Sequence, residues 1–244
     1  MKQTKESSEE NKLLKEYQID SINVLIALFN ERNIDKISTK INFPLHRQYP
    51  IPPITNKEEF KSRFNEVFDD VLISRIIKSR IEQWSEMGWR GIMLDDGVLW
   101  MANSDGVITS VNYQSEYETE LIERLIAKDR ENLHASLQTF ESPVYKITTK
   151  SKLIRIDELT NYKYRYSSWK IGEKESSAPE TILNNGEWEF LGSGGNHVIT
   201  FVQGNLTYSV YRNILGREDT PDFTIEVVED EKVISTEDGT QLTE

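Results

Sequence analysis

Helical spacing of apolar residues occurs only before Glu141-Ser142-Pro143, and beyond that point no helical stripe appears. The early stripes come first. Leu13, Leu14, Tyr17, Ile19, Ile22, Leu25, Ile26 and Phe29 recur at three- and four-residue steps, which predicts an amphipathic helix interrupted near Asn33, with Ile34 and Ile37 in a short second piece. Ile41-Asn42-Phe43-Pro44-Leu45 reads as a short strand, and the prolines of Tyr49-Pro50-Ile51-Pro52-Pro53 exclude helix. Thr55 to Glu58 has the spacing of a capping box. It opens a helix carrying Phe60, Phe64, Val67, Phe68, Val71, Leu72 and Ile76 to about Arg80 or Trp84.

A three-strand meander follows, Gly91–Leu94, Val98–Met101 and Val107–Val111, with Asp95-Asp96-Gly97 and Ser104-Asp105-Gly106 as its turns. Ser115 to Glu118 begins another helix, striped by Leu121, Ile122, Leu125, Ile126, Leu133 and Leu137. After Pro143, short β-branched and aromatic runs alternate with Asn184-Asn185-Gly186, Gly192-Ser193-Gly194-Gly195-Asn196 and Gln203-Gly204-Asn205. That spacing predicts a small antiparallel barrel or sandwich. The expected organisation is a flexible tail at 1–12, an α+β domain at 13–141, an all-β domain at 142–230 and a frayed acidic tail at 231–244.

Chemistry is constrained mainly by what is absent from the sequence. There is no cysteine, which removes thiolate catalysis, thiolate metal sites and disulfides. The three histidines, His46, His134 and His197, are isolated in sequence, and no metal site or cofactor is expected. Gly192-Ser193-Gly194-Gly195 lies between strands, where no helix N-terminus follows to hold phosphate, and no nucleophile elbow occurs. A net charge of −12, from 41 acidic and 29 basic residues, repels phosphates and anionic membranes. Nucleic acid and membrane insertion are therefore not expected. No apolar run approaches the ~20 residues of a membrane helix. The polar start, without a leader-like core, places the chain in the cytoplasm, with the cell envelope or periplasm as the alternative if a leader has been removed.

Two regions are candidate sites. Trp84, Trp89, Arg90, Trp100 and Tyr113 surround the junction of the best helix with the meander and could line a ligand pocket. They serve equally as core, with Arg90 paired to Asp95 or Asp96. In Tyr162-Lys163-Tyr164-Arg165-Tyr166-Ser167-Ser168-Trp169 the tyrosines fall on one strand face and Lys163, Arg165 and Ser167 on the other. Tyr164, Arg165, Tyr166, Trp169 and His197 are the candidates for a surface that binds sugars or single-stranded nucleic acid, the net acidity arguing against the latter; burial of the aromatic face in a barrel is the competing reading. No catalytic residue is assigned.

Ile41–Leu45, Met87-Gly88-Trp89-Arg90-Gly91-Ile92, Tyr164–Trp169 and Gly192–His197, with the order of elements, resemble the nuclear transport factor 2-like (SnoaL-like) superfamily. More narrowly, they resemble uncharacterised two-domain proteins from Bacteroidetes. The resemblance implies a cone-like N-terminal half, long helices against a curved antiparallel sheet enclosing a pocket, ahead of the all-β part. It transfers no catalytic residue. The resulting expectation is a non-catalytic bacterial binding protein holding a small ligand or a partner protein in the cone or at the domain junction, with a homodimer admitted. The alternatives are an isomerase- or hydrolase-like enzyme with a pocket carboxylate near Trp89 and Trp100, and an acidic immunity-type inhibitor of a basic toxin.

Overall fold

The computed structural model describes residues 14–217 and 219–242, so the tail expected at 1–12 lies outside the described residues. The chain divides into two compact units that part between Leu121 and Ile122. The first contains α1 (Glu16–Asn30), α2 (Ile34–Ser38), α3 (Lys57–Val67) and α4 (Asp70–Ile77). Four antiparallel strands follow in the order β1 (Trp84–Glu86), β2 (Ile92–Leu94), β3 (Leu99–Met101) and β4 (Ile108–Val111). Helix α5 (Glu116–Glu131) begins in the first unit and continues into the second.

The cap of α3 lies one residue later than the Thr55–Glu58 spacing suggests, and it is not a full capping box. Asn56 is the cap, its side chain accepting from Glu59 N at 3.0 Å, while Glu59 Oε2 accepts from Thr55 N at 2.8 Å. The stripe expected to run unbroken past Phe68 is also divided. Phe68 leaves helical geometry, and Asp69 caps a new helix by accepting from Leu72 N at 2.8 Å. A short carboxylate at that point competes for the backbone donors that would otherwise continue the helix.

Phe29, Phe60, Phe64 and Phe68 meet at ring-centroid distances of 5.0 to 6.4 Å in the middle of this unit's core. Ile92, Leu94, Leu99, Met101, Ile108 and Val111 of the sheet belong to the same buried cluster. The cone expected of the N-terminal half is therefore corrected. Strands of three or four residues reach only about 10–13 Å, too short to curve round a cavity, and the side chains they bury pack against the helices.

An ion pair legible in no motif sits beside this core. The Arg47 guanidinium donates from Nε and Nη2 to the two Glu118 oxygens, both at 2.6 Å, and also to the carbonyls of Val111 and Tyr113. The two side chains are 3% and 1% exposed.

In the second unit, β5 (Ser142–Thr149), β6 (Lys152–Leu159), β7 (Lys163–Lys170), β8 (Thr181–Phe190), β9 (His197–Gln203), β10 (Leu206–Arg212), β11 (Phe223–Glu229) and β12 (Lys232–Gln241) form a closed antiparallel barrel. Of the barrel and the sandwich, the structure has the barrel. The stretch expected to fray from residue 231 instead supplies β12, whose Gly239, Thr240 and Gln241 pair with Thr149, Thr148 and Ile147 to close it. Asn184-Asn185-Gly186, expected as a turn between strands, is an irregularity inside β8. There Gly186 is irreplaceable on steric grounds: a Cβ would lie 2.2 Å from the Phe201 ring.

Alternation sorts the side chains. Ile147, Ile154, Ile156, Tyr166, Ile199 and Phe201 fill the interior, while Arg155, Asp157, Arg165 and Trp169 stand on the outer wall. Leu133, Leu137 and Phe140 pack with Trp169, so this part of the wall is buried too. Asp157 takes Arg155 Nε at 2.7 Å and Arg165 Nη2 at 2.6 Å, and Arg155 also meets Asp129 at 2.6 Å and Glu175 at 3.2 Å. Lys146 completes the network with Asp129 and Glu175.

Candidate functional site

One end of the barrel is aromatic. Strands β5, β7, β9 and β11 begin there and β6, β8, β10 and β12 end there, so the register brings together inward-facing residues distant in sequence. Trp188 and His197 stack with ring centroids 3.7 Å apart. Tyr145 packs edge-on to Phe223 at 4.9 Å, Tyr164 lies 5.6 Å from Trp188, and the Arg212 guanidinium sits 4.7 Å from the Phe223 ring centre. His197 is buried, with Nδ1 2.8 Å from the Gly195 carbonyl oxygen and Nε2 2.8 Å from the Tyr145 hydroxyl. Burial holds the imidazole below its ordinary pKa, and the positive charge of Arg212 acts in the same direction; the Gly195 hydrogen bond opposes both. Burial likewise pushes the Tyr145 hydroxyl up to about 12.

Beside this cluster the wall is open. β7 begins at Lys163, and its pairing with β8 reaches only Tyr164 opposite Gly186, so Glu187–Phe190 pair with β9 alone. A groove of about 500 Å³ lies at that gap. Its lining is Asn161, Tyr162, Lys163, Tyr164, Glu187, Trp188 and Phe190. Tyr162 and Phe190 are 84% and 65% exposed. Lys163 Nζ donates to Glu187 Oε1 at 2.6 Å, which holds the Glu187 carboxyl below the usual range. Among the described residues the buried Trp188 indole N–H has no protein acceptor, an uncommon state for such a donor.

The arrangement offers flat apolar faces beside one amide and one ion pair. It does not offer a general base poised near neutrality, since Glu187 is stabilised as the anion and His197 is enclosed.

The structure distributes the sequence candidates as follows. Trp84 is core, donating Nε1 to Ser79 Oγ at 3.0 Å, whereas Trp89 projects from a short turn at Gly88–Arg90 and is largely exposed. Arg90 lies 5.8 Å over the Trp100 ring and does not take the turn carboxylates; Asp95 pairs with Arg75 at 2.6 Å and accepts from Gln83. Asp95 is held below the ordinary carboxylate pKa: burial works against its ionisation, but the Gln83 and Arg75 bonds outweigh it. The Tyr113 hydroxyl donates to Asp69 at 2.7 Å. None of these five lines the groove at the barrel end.

In the second set, Arg165, Tyr166, Trp169 and His197 are all buried, so they do not form an exposed surface. Tyr164 alone of that set reaches the groove. Sequence reasoning missed Tyr145, Trp188, Phe190 and Phe223. The available signal was the alternation Trp188-Glu189-Phe190 in a strand opposite the Tyr162–Trp169 run.

Among the described residues no helix is long and apolar enough to cross a membrane, and no group of three or more His, Asp or Glu side chains is placed to hold a metal. Comparison with known proteins finds no matching family model, no similar curated sequence and no similar solved structure.

Proposed function

We propose that this chain is a non-catalytic binding protein whose barrel-end groove holds a small ring-shaped polar ligand, a saccharide being the chemistry that fits. The observation that carries the reading is the lining itself: Tyr162, Tyr164, Trp188 and Phe190 around a 500 Å³ groove, interleaved with Asn161 and the Lys163–Glu187 pair. A sugar ring packs its C–H face on an aromatic plane and spends its hydroxyls on amide, carboxylate and ammonium groups. Apolar walls with a few placed polar groups are the general form of such sites. Single-stranded nucleic acid uses similar stacking platforms, but it needs a cationic groove, and here the one lysine is neutralised by Glu187 in a chain of net charge −12.

The test is isothermal titration of the full chain against a panel of mono- and oligosaccharides. Binding to at least one member is expected, and Tyr162→Ala with Phe190→Ala should remove it while the circular dichroism spectrum stays unchanged, because both side chains are exposed. Absence of binding across the panel, or full affinity in the double variant, overturns the proposal. Chemical conversion of a bound saccharide would favour the enzyme reading instead.

A further inference from the structure

Two loops meet at the aromatic end of the barrel. Residues 191–196 join β8 to β9, and residues 213–222 join β10 to β11. Asn196 fastens one to the other. Its Oδ1 accepts from Ile214 N at 2.8 Å and from Leu215 N at 2.7 Å, and its Nδ2 donates to the Leu215 carbonyl at 2.9 Å. Its own carbonyl accepts from Leu191 N at 2.7 Å. The glycines of the first loop let the second lie against it: a Cβ on Gly194 would come 2.2 Å from Leu215 Cδ1, and one on Gly195 would come 3.2 Å from Ile214 Cδ1.

What this fastening displays is apolar. Leu191, Ile214 and Leu215 are 45%, 53% and 46% exposed. Phe190, next in the chain to Leu191, is 65% exposed and lines the groove. Exposed apolar side chains scattered singly are ordinary, but a group of them gathered around one asparagine is a patch, and patches mark binding surfaces. The backbone bonds to Asn196 fix where these side chains start before any ligand arrives, which lowers the ordering cost of binding.

We propose that this shelf takes the apolar aglycone of the saccharide held in the groove, so that the ligand class is an alkyl glycoside and not a free sugar. The proposal rests on the saccharide reading of the groove. Size and charge choose the occupant. Four part-exposed side chains fall well short of the ~800 Å² that each partner of a stable protein complex buries. They suit a chain of several methylenes, each adding up to about fourfold in affinity when fully buried. None of the four carries a charge, and the net charge of −12 repels anionic membranes. Phe190 belongs to both surfaces, so the glycosidic linkage passes over its ring.

Isothermal titration of the full chain with methyl and octyl glycosides of glucose, galactose and mannose, each below its micelle concentration, tests the proposal. For a sugar that binds, the octyl form should bind about tenfold tighter than the methyl form, or more. In the variant Ile214→Ser with Leu215→Ser that preference should disappear while the methyl affinity stays that of the parent, since neither residue lines the groove. Leu191→Ser, which leaves the Asn196 bonds in place, should lower the preference too, and it decides the matter if the first variant also loses the methyl glycoside. Equal affinities for the two forms, or a preference unchanged in the variants, overturns the proposal and leaves the groove reading standing. Binding to phosphatidylcholine vesicles free of glycoside assigns the shelf to a membrane and likewise overturns the proposal alone. Octyl forms bound irrespective of the sugar with no methyl form bound, or no binding at all, overturns the groove reading and the proposal together.

Discussion

The Tyr145 hydroxyl donates to His197 Nε2 across 2.8 Å, and this fixes the imidazole in one tautomer. Nδ1, 2.8 Å from the Gly195 carbonyl, must carry the proton there, so Nε2 is left as an acceptor and the phenol donates to it. The pair links β5 to β9 across the barrel end and holds His197 flat against Trp188, which lines the groove.

Removing that hydroxyl leaves a buried ring nitrogen without a donor. Tyr145→Phe should destabilise the second unit by about 1–3 kcal/mol. Urea unfolding followed by tryptophan fluorescence measures this; a loss below about half a kilocalorie would show that the bond is not held in solution.

Titration of the same ring sets a pH dependence. Because the folded pKa of His197 is depressed, the unfolded chain binds the extra proton first. Its contribution to stability is complete above the ordinary imidazole value of about 6.5 and is lost as pH falls below it. A second loss follows lower down, below about 4, where Asp129 is depressed. Burial there opposes ionisation, but Arg155 and then Lys146 outweigh it. Melting temperatures between pH 8 and pH 3 should fall in these two steps, and His197→Gln should flatten the upper one. A melting temperature that rises between pH 7 and pH 5 would reverse the sign and refute the assignment.

Arg47 and Glu118 give a test confined to the first unit. Glu118→Gln leaves the buried guanidinium without its counter-charge and should cost about 3–5 kcal/mol. The double variant R47M/E118L, which removes both charges, should cost less, although the Val111 and Tyr113 carbonyls then lose a donor. Thermal unfolding monitored by circular dichroism decides; a double variant less stable than Glu118→Gln would mean the two charges are not coupled.

Much of the local structure was legible in the residues, and the assembly was not. The stripe Ile22, Leu25, Phe29 gives α1 its buried face because helical spacing alone places those side chains together. The strand-rich character after Pro143 was equally plain. The cone failed because it came from a resemblance, whereas strand length, which decides whether a sheet can enclose a space, is set by turns such as Gly88–Arg90 that cut the strands short. Asn184-Asn185-Gly186 carries turn chemistry yet sits within β8, where the close approach of Phe201 and the change of register require the glycine. Lys232–Gln241 read as a solvated tail because its acidic residues hide a strand that only barrel closure explains. Trp188 was passed over since its partners, Tyr145, Tyr164 and His197, are brought to it by register and not by sequence proximity.

The saccharide groove at the barrel end is tested most directly by the tryptophan indole N–H resonances in a ¹⁵N correlation spectrum. The chain has five tryptophans, of which only Trp188 lines the groove; Trp84, Trp89 and Trp100 belong to the first unit, and Trp169 is enclosed on the outer wall. Adding a saccharide that binds should move the Trp188 resonance, because its ring lines the groove, and leave the other four in place. Movement of the Trp89 and Trp100 signals with Trp188 unchanged would contradict the account and return the site to the helix–meander junction.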